Sequence, residues 1–519
     1  MQVQEFLEES VRRFPQKTAL VCQGRRFAYL EIEERCNRFA QALVADGIDR
    51  GERVAVYLEN SPEAVISVFA TLKADGAFVV INPATKTDRL AYILNNCRAT
   101  VVVTHVKKLG SVQDCWARAP YLRRVYVVGG AGTRAHEAGK ECIPLDAILE
   151  TPELPGSRPA RKSIDEDLAA LVYTSGSTGG PKGVMLAHRN VVAAATSIAT
   201  YLENTPDDIV LDVLPLSFGY GLYQVLVAFK VGATVVLERS FTFPHVVLEK
   251  IGSERVTGFP IVPTMSALML QTDLSRYDFS SVRYLSSAGA PLPVEHIRKL
   301  RKQFPRARIF SMYGLTECTR VAYLPPDQID ERPTSVGNAM PNVDAWIVDE
   351  QGQRVPPGVV GELVVRGSNV MLGYWEAPEE TARALRPGPL GDRVLHSGDL
   401  FKTDDAGFLY FVGRRDDLIK TRGQRVSPRE VEDVLYQLPG VIEAAVFGVP
   451  DAVLGKAIKA VVAVRKDTEL TEQKVQAHCA KHLEDFMVPQ VVEFRDALPK
   501  TDTGKVIRRE LSTQPGSRP

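Results

Sequence analysis

The sequence predicts an α/β protein with a large N-terminal domain of α/β sheets, a β-rich subdomain, and a small α+β domain at the C-terminus. Short apolar, β-branched runs alternate with helical segments in the first part of the chain, which indicates an open sheet of parallel strands. The 519 residues exceed what one hydrophobic core normally serves, so two or more domains are expected. After residue 420 a new unit of roughly 100 residues begins, which is an ordinary domain size.

The elements of the N-terminal part follow in order from the hydrophobic periodicity. MQVQEFLEESVRRF is an amphipathic helix with acidic residues near its start and no apolar signal core. The next segments are strand 53–60, helix 62–75, strand 76–83, helix 87–97 and strand 100–105. A surface linker is expected at 154–163. Residues 168–173 (LAALVY) have the pattern of a buried strand and 191–202 that of a helix, so the loop between them is expected at a strand-to-helix crossover.

A β-rich stretch and the C-terminal unit complete the chain. AWIVDE, GELVVRG and LYFVG are short predicted strands separated by turns. Ser427 is the expected N-cap of the helix that follows, with Pro428 at its first position and Glu430 placed to complete a capping box. Strands 442–449 and 458–464 and helix 472–486 come next. The predicted domains are residues 1–413 and 414–519.

The composition disfavours several classes of protein. The 63 basic residues balance the 63 acidic residues, so no net charge attracts nucleic acid or an anionic membrane. The seven cysteines are scattered without a CxxC pair, which favours reduced thiols over a disulfide frame or a zinc site. The sequence has no stretch of ~18 apolar residues that would cross a membrane. We therefore expect a cytoplasmic protein with no membrane span and no nucleic-acid partner.

The stretch TSGSTGGPKG at residues 174–183 sets hydroxyl side chains and glycines ahead of a lysine. Backbone N–H groups freed by glycine, together with hydroxyls, form a concave site for an anion. The patterns GxxxxGK[ST] and GxGxxG are both absent, so P-loop enzymes and dinucleotide enzymes of the usual kind lose support. A flexible Ser/Gly turn is the alternative. Ten consecutive residues made up of Ser, Thr and Gly and ending in Pro-Lys-Gly favour phosphate binding over such a turn.

This loop resembles the characteristic loop of the ANL superfamily, which groups acyl-CoA synthetases, peptide-synthetase adenylation domains and luciferases. The resemblance covers essentially the whole chain, through further motifs in order: LPLSFGYG (214–221), SSAGAPLP (286–293), MYGLTE (312–317), GELVVRG (361–367), SGDL (397–400), GRRDDLIKTRG (413–423) and PKTDTGK (499–505). It implies an enzyme with two half-reactions. A carboxylate attacks the α-phosphate of ATP to give acyl-adenylate and pyrophosphate, and a thiol then displaces AMP.

The resemblance assigns the phosphates of ATP to two of these motifs. The β- and γ-phosphates would be held by Thr174, Ser175, Gly176, Ser177, Thr178, Gly179 and Lys182. Tyr313 and Gly314 would belong to the nucleotide site, with Tyr313 stacked on adenine; Thr316 would contact the α-phosphate and Glu317 would hold Mg²⁺. The chemistry agrees, because Mg²⁺ prefers a carboxylate and phosphate oxygens and because an anion that attacks a polyanion needs cations and oriented dipoles around it.

Other motifs would hold the nucleoside, by the same resemblance. Asp399 would accept the ribose hydroxyls, a task that suits an ionised carboxylate because it only accepts hydrogen bonds. Arg414 would reach the same ribose. The small residues Ala288, Gly289 and Ala290 would let the backbone approach the adenine.

The C-terminal domain would be mobile and would carry the catalytic Lys505, which acts with Thr316 and Glu317 by bridging the substrate carboxylate and the α-phosphate. The resemblance implies that this domain rotates between the half-reactions about a hinge near Asp416. After the rotation Lys420 would contact AMP or substrate, and Gly423 would line the tunnel for the pantetheine thiol.

The acid would lie in a pocket formed by Phe218, Gly219, Tyr220, Gly221, Val262 and Ser287, with Met265 and Ala288 as further candidates. Amino-acid-activating relatives carry an aspartate where Gly219 stands, and an α-ammonium group without that partner would be costly to bury. A fatty or aromatic acid is therefore expected. CoA and the phosphopantetheine of a carrier protein both stay open as the thiol, and a homodimer stays open as the assembly.

Three competing interpretations are weighed against this one. A luciferase-like oxidase has only its rarity against it. An inactive binding module is disfavoured because Thr316, Glu317, Asp399, Arg414 and Lys505 are all present. His478 and His482 stand four residues apart on a predicted helix but have no third ligand nearby, so a solvated helix face is expected there rather than a metal site. Cys318 is expected to pack as a small residue.

Overall fold

Two nine-stranded sheets form the frame of a large N-terminal domain, and a three-stranded sheet forms a smaller C-terminal domain. The structure is a computed structural model that describes residues 1–130, 135–137, 140–151, 157–160, 162–174, 181–414, 417–421, 424–451, 455–465, 468–500, 506–507 and 510–511. It confirms the α/β class that the sequence predicts.

Helices cover both domains. In chain order they are α1 Glu5–Arg13, α2 Tyr29–Ala45, α3 Pro62–Lys73, α4 Thr87–Asn96, α5 Leu109–Gln113, α6 Leu145–Glu150 and α7 His188–Tyr201. They continue with α8 Gly219–Val231, α9 Pro244–Ser253, α10 Pro263–Met269, α11 Val294–Gln303, α12 Pro378–Ala384, α13 Pro428–Leu435 and α14 Glu472–His482.

The strands are short in the sheets of the N-terminal domain. The first half of the chain contains β1 Thr18–Cys22, β2 Arg25–Ala28, β3 Arg53–Tyr57, β4 Ala77–Val80, β5 Ala99–His105, β6 Arg124–Val128, β7 Ala135–Glu137, β8 Lys140–Pro144, β9 Leu168–Thr174, β10 Lys182–Ala187, β11 Ile209–Asp212, β12 Thr234–Leu237 and β13 Gly258–Ile261. The second half contains β14 Tyr284–Ser287, β15 Arg308–Tyr313, β16 Ala322–Tyr323, β17 Asn338–Ala339, β18 Val343–Val348, β19 Gly361–Gly367, β20 Gly373–Tyr374, β21 Leu385–Pro387, β22 Arg393–Thr403, β23 Leu409–Arg414, β24 Ile419–Thr421, β25 Gln424–Val426, β26 Val441–Asp451, β27 Gly455–Val464 and β28 Val491–Arg495.

The strand order shows where the chain crosses over. One large sheet has the order β17-β16-β15-β14-β13-β11-β12-β1-β2, and the other has the order β20-β10-β9-β4-β3-β5-β6-β8-β7. The central strands of both sheets are parallel, with antiparallel strands at the edges. Strands β18, β19, β22, β21 and β23 form the β-rich subdomain, and β26, β27 and β28 form the C-terminal sheet.

The two large sheets share one core that lies between them. Alternate residues of a strand point to opposite faces, so each sheet also packs against a second layer on its other side. On β3, Val54 and Val56 belong to the central core, which also takes side chains from the first sheet and from helices α1, α2, α3, α7 and α8. Ala55 and Tyr57 point the other way, into a cluster with α4. The outer face of the first sheet packs against α9, α10 and α11. The N-terminal domain is therefore built in five alternating layers.

Lys73 is a cation inside the central layer. Its side chain is 0 % exposed, and its Nζ lies 3.0 Å from an oxygen of Glu8 and 2.7 Å from an oxygen of Glu33. The ion pairs join α3 to α1 and α2. Burial of a charge is costly unless opposite charges accompany it, and this chain supplies two carboxylates.

The elements predicted between residues 53 and 105 are confirmed as β3, α3, β4, α4 and β5, but the surroundings of the glycine-rich loop differ from the expectation. The chain after the loop forms strand β10, which pairs antiparallel with β9 so that Lys182 stands opposite Thr174. The loop therefore joins two strands of a hairpin, and α7 begins only at His188. Val184 and Leu186 are buried at alternate positions, a strand pattern too short to stand out beside the helix that follows.

The predicted capping box of α13 is wrong in its hydrogen bonds. Ser427 is the N-cap residue and Pro428 follows it, but the Ser427 side chain accepts no hydrogen bond from the helix. Its hydroxyl donates instead to the carbonyl of Val412 at the end of β23. A contact with the β-rich subdomain has taken the place of the local cap.

The C-terminal domain meets the N-terminal domain at α11. His296 on α11 is 8 % exposed, and its ring lies edge-on to the ring of Tyr436, with 5.8 Å between centroids. Its Nδ1 is 2.8 Å from the hydroxyl of Ser266. Burial lowers the pKa of His296 to about 4, so the imidazole is neutral in this contact.

Two further sequence expectations concern the whole chain. The seven cysteines are buried and form no disulfide. Among the helices in the described parts of the chain, none is both long and apolar enough to cross a membrane. The predicted cytoplasmic location stays a prediction.

Candidate active site

Several of the predicted site residues lie at one edge of the first large sheet. Strands β13, β14 and β15 are parallel neighbours, with Ile261 opposite Ser287 and Ser287 opposite Ser311. The residues that follow these strands therefore leave the sheet side by side. They include Val262, the 288–290 segment and residues 314–317. Ligands of open α/β sheets bind at this carboxyl edge.

The 287–290 segment turns sharply beside Val262. Ser287 and Ala288 are each 2 % exposed, whereas Gly289 is exposed and has φ +87°. A Cβ at Gly289 would stand 3.9 Å from Cγ1 of Val262, so space is not what requires glycine there. Glycine is required by the left-handed backbone at this position, because residues with a side chain rarely adopt it. Ala290 follows, half-buried.

The LPLSFGYG segment leads into helix α8, and its two glycines have different environments. Phe218 is the N-cap residue and is half-buried. A Cβ at Gly219 would meet no atom within 4 Å, so this position borders open space. A Cβ at Gly221 would come within 2.5 Å of the carbonyl oxygen of Pro215, so Gly221 lets the backbone pack closely. Of the two glycines predicted to line the acid pocket, Gly219 borders open space and Gly221 does not.

Tyr220 is fixed from two sides. Its hydroxyl lies 2.8 Å from the carbonyl oxygen of Ser286, to which it donates, and 3.0 Å from the Ser286 hydroxyl. The guanidinium of Arg320 lies over its ring, 5.0 Å from the centroid. The helix α8, the strand β14 and the loop after β15 meet at this tyrosine.

Tyr313, Asp399 and Arg414 form a connected group between the first large sheet and the β-rich subdomain. The Tyr313 hydroxyl donates to Oδ2 of Asp399 at 2.6 Å, and Nε of Arg414 lies 3.3 Å from Oδ1. Asp399 and Arg414 are paired residues of β22 and β23. Burial and the Asp399 carboxylate hold the pKa of Tyr313 well above its usual value, so the phenol stays a hydrogen-bond donor. The Tyr313 ring packs edge-on to Phe401, with 4.8 Å between centroids.

We expect Asp399→Asn to raise the KM for ATP by about tenfold to a hundredfold, because hydrogen bonds to a charged group contribute about 1.5–3 kcal/mol. The amide presents N–H groups where the carboxylate accepts from Tyr313 and Arg414. Pyrophosphate release at varied ATP measures the effect. Asp404→Asn is the matched control, since Asp404 also accepts from an arginine (Arg332, 3.1 Å) and a tyrosine (Tyr410, 3.1 Å). An equal rise in both variants would contradict a role of Asp399 in nucleotide binding.

Tyr374 links the glycine-rich hairpin to the MYGLTE segment. Its hydroxyl donates to Oε1 of Glu317 at 2.7 Å, and Nζ of Lys182 lies 5.6 Å from the centroid of its ring. Strand β20, which carries Tyr374, pairs with β10, which begins at Lys182. Burial and the Glu317 carboxylate raise the pKa of Tyr374, so it stays a donor. Tyr374 thus contacts both Lys182, predicted to bind phosphate, and Glu317, predicted to bind Mg²⁺.

The MYGLTE segment turns back on itself. Val321 donates from its N–H to the carbonyl of Tyr313 at 2.9 Å, which closes the turn. A Cβ at Gly314 would stand 2.3 Å from the carbonyl oxygen of Thr319, so only glycine fits there. Thr316 and Glu317 are half-buried at the tip of this turn.

The donor set at Glu317 fits a magnesium ion bound together with a nucleotide. Mg²⁺ in phosphate-transfer sites is held by one or two carboxylates plus substrate phosphates. Glu317 offers one carboxylate, and Tyr374 orients it. Within the described residues no group of three His, Cys, Asp or Glu side chains could hold a metal ion by itself, His478 and His482 included. When bound, the ion supplies positive charge against the phosphate oxygens.

Several predicted residues lie outside the described residues. They are Ser175, Gly176, Ser177, Thr178, Gly179, Asp416, Gly423 and Lys505. Lys420 belongs to β24, opposite residue 425 of β25. The chain on either side of 501–505 is anchored, because Lys500 pairs with Val506 in an antiparallel bridge and Ile507 donates to the carbonyl of Pro499.

Sequence reasoning missed two residues of this site. Tyr374 stands in the GYW triplet, and Arg320 follows MYGLTE by three residues. An aromatic residue in a loop and a single arginine both have ordinary structural explanations, so neither carried a signal. Their contacts with Glu317 and Tyr220 exist only in the folded chain.

Comparison with known proteins gives consistent matches over the whole chain. A family described as AMP-binding enzyme matches residues 7–375, and one described as AMP-binding enzyme C-terminal domain matches residues 430–505. The chain is 32 % identical to a long-chain-fatty-acid–CoA ligase of Bacillus subtilis, covering 98 % of this chain and 94 % of that protein. It is 30 % identical to tyrocidine synthase 3 of Brevibacillus parabrevis, covering 98 % of this chain and 8 % of that protein. The crystal structure of an anthranilate CoA ligase in complex with anthranoyl-AMP superimposes with a TM-score of 0.90 at 29 % identity, over 98 % of this chain and 96 % of that one.

Proposed function

The chain belongs to the AMP-binding enzyme family within the adenylate-forming ANL superfamily and is an AMP-forming acid–CoA ligase, and we propose that it activates a fatty or aromatic acid with ATP and transfers the acyl group to CoA. The observation that carries the proposal is a set of three groups, each of which includes residues at the carboxyl ends of β14 and β15: Tyr313–Asp399–Arg414, Lys182–Tyr374–Glu317 and the 286–290 segment.

In the first half-reaction, the acid's carboxylate approaches a triphosphate, so the site must offset repulsion between anions. Lys182 at the start of β10 and the loop before it would take the β- and γ-phosphates, and Thr316 the α-phosphate. Glu317 would hold Mg²⁺ while the Tyr374 hydroxyl keeps its carboxylate oriented. A carboxylate fixed by a hydrogen bond loses less freedom when its ligand binds, which favours affinity.

The nucleoside would lie across Tyr313, with its ribose at Asp399 and Arg414. Asp399 is 4 % exposed and is held by Tyr313 and Arg414, so its orientation is set before the nucleotide arrives. Small residues at 288–290 leave room for the adenine beside Val262.

The second half-reaction would use the C-terminal domain in another orientation. Lys505 would complete the first step and then move away as the domain rotates near Asp416, bringing Lys420 and Gly423 toward the adenylate. The present contact of His296 with Tyr436 belongs to one orientation of the two domains, and such a rotation would break it.

The acid would lie between Phe218, Gly219 and Tyr220 on one side and Val262 and Ser287 on the other. The open space at Gly219 fits an acid without an α-ammonium group, since a glycine has no carboxylate to pair with one. The similarity to a fatty-acid–CoA ligase and to an anthranilate CoA ligase supports both an aliphatic and an aromatic acid.

Pyrophosphate release across a panel of carboxylic acids, with ATP, Mg²⁺ and CoA, tests this function. We expect CoA-dependent turnover with at least one fatty or aromatic acid and none with free α-amino acids. AMP and the acyl-CoA should appear in equal amounts. Absence of turnover with every acid would contradict the proposal.

A second candidate acceptor is the phosphopantetheine of a carrier protein, favoured by the similarity to tyrocidine synthase 3 along 98 % of this chain. Competition between CoA and a phosphopantetheinylated carrier protein in the same assay separates the two. The thiol that gives the higher kcat/KM at equal concentration is the acceptor.

A further inference from the structure

Arg320 is a buried cation beside Tyr220, one of the residues predicted to line the acid pocket. It is 3 % exposed and lies in the turn after β15, four residues beyond Thr316. A Cβ at Gly314 would stand 2.8 Å from its Cα, so the Arg320 backbone lies directly beneath the predicted nucleotide segment. Its guanidinium lies over the ring of Tyr220 on α8. Arg320 therefore spans the distance between the nucleotide segment and the acid segment.

The Arg320 guanidinium lies beside the ring of Tyr220 and close to the hydroxyl of Tyr201. It lies over the Tyr220 ring, 5.0 Å from the centroid. Burial raises the pKa of Tyr201, and the charge and hydrogen bond of Arg320 act against that rise. Across the described part of the chain, no carboxylate pairs with Arg320, and its buried Nε has no hydrogen-bond acceptor. Lys73, by contrast, is equally buried and has two carboxylates.

A second polar group in the acid site also lacks a partner. The Ser287 hydroxyl, on the strand next to β15, is buried and makes no hydrogen bond to the residues that the structure describes. Tyr220 differs, because its hydroxyl is committed to Ser286. The Ser287 hydroxyl and Nε of Arg320 are thus two buried donors without an acceptor among the described residues.

The charge of the missing partner follows from electrostatics. A buried guanidinium without a counter-charge is strongly unfavourable, and a carboxylate is its best geometric partner because two parallel hydrogen bonds can form. The reacting carboxylate is a poor candidate: it loses its charge on adenylation, and a tight pair with Arg320 would stabilise the ground state more than the transition state. A second carboxylate keeps its charge through both half-reactions.

We propose that Arg320, held by the Tyr220 ring, binds a second carboxylate on the substrate, so that the enzyme activates dicarboxylic acids in preference to matching monocarboxylic acids. The Ser287 hydroxyl would donate to the same group. This inference rests on the proposed acid-activating function and narrows its substrate class to fatty or aromatic acids that carry two carboxylates.

Matched pairs of acids test the proposal: octanoate against octanedioate, and benzoate against benzene-1,3-dicarboxylate. We expect wild-type kcat/KM, measured by pyrophosphate release, to favour the dicarboxylic member by about 100-fold, because a monocarboxylic acid leaves a buried polar group without its hydrogen-bond partner. Arg320→Gln should remove that preference, chiefly by lowering kcat/KM for the dicarboxylic member of each pair. Arg320→Lys, which keeps the charge but not the fork, should restore part of it.

Arg332→Gln is the matched control, because Arg332 also lies over an aromatic ring, Phe408, at 4.4 Å, and pairs with Asp404 away from the acid site. It should leave the preference intact. A wild-type preference for monocarboxylic acids, or an equal loss of both rates in Arg320→Gln, would overturn the proposal while the ligase function stands. Loss of turnover with all acids in the wild type would instead contradict the function itself. If Arg320→Gln does not fold, the wild-type comparison decides alone.

Discussion

Lys505→Ala should lower the rate of adenylation by about 100- to 1,000-fold, the usual cost of removing one group that stabilises developing charge in a transition state. The lysine would bridge the substrate carboxylate and the α-phosphate, where negative charge concentrates as the new bond forms. We expect the thioester step not to need Lys505, because in the proposed rotation Lys505 has left the site. Acyl transfer to CoA from pre-made acyl-adenylate should therefore proceed at nearly the wild-type rate.

Two assays on one protein preparation separate these steps: pyrophosphate release for adenylation, and acyl-CoA formation from synthetic acyl-adenylate for transfer. Lys500→Ala is the control, because Lys500 pairs with Glu443 within the C-terminal domain and has no predicted role in either step. Its variant should behave like the wild type in both assays. An equal loss of both half-reactions in Lys505→Ala would exclude the rotation that we propose.

Glu317→Gln should lower adenylation by about 100-fold or more, since it removes the carboxylate proposed to hold Mg²⁺ at the phosphates. The amide keeps the size of the side chain and can still accept from Tyr374. The loss should therefore reflect the missing charge and not a collapse of the turn. Pyrophosphate release at varied Mg²⁺ measures it, and the half-saturating Mg²⁺ concentration should rise.

Tyr374→Phe separates orientation from charge at the same site. The carboxylate stays but loses the hydrogen bond of 2.7 Å that orients it. We expect the half-saturating Mg²⁺ concentration to rise by about tenfold, the lower end of the effect of groups that position a metal ligand. Glu376→Gln is the control, because Glu376 is exposed and pairs with Arg98. An unchanged Mg²⁺ dependence in both Glu317→Gln and Tyr374→Phe would remove Glu317 from the metal site.

The glycine-rich stretch carried two predictions, a phosphate site and a strand-to-helix crossover, of which the first stays a prediction. Its residues alone indicated a phosphate site, and the motifs further along the chain indicated the family. The prediction of a strand-to-helix crossover failed because β10 is short and merges with α7 in the sequence. The pairing of Lys182 with Thr174 depends on strand β9, which only the sheet defines. The predicted capping box at Ser427 was wrong for a similar reason, since its hydroxyl bonds to Val412 in another part of the chain.

The sequence by itself determined the fold class and the family and supplied the candidate site residues, because periodicity and ordered motifs are local properties of the chain. The tertiary structure alone decided which of those residues touch. Tyr374 donates to Glu317 across 57 residues, and Tyr313 donates to Asp399 across 86. In the sequence Arg320 is one arginine among many. In the folded chain it is buried, and its Nε has no acceptor among the described residues. The cost of an unpaired buried charge arises only when packing removes the solvent, so only the folded chain could reveal it.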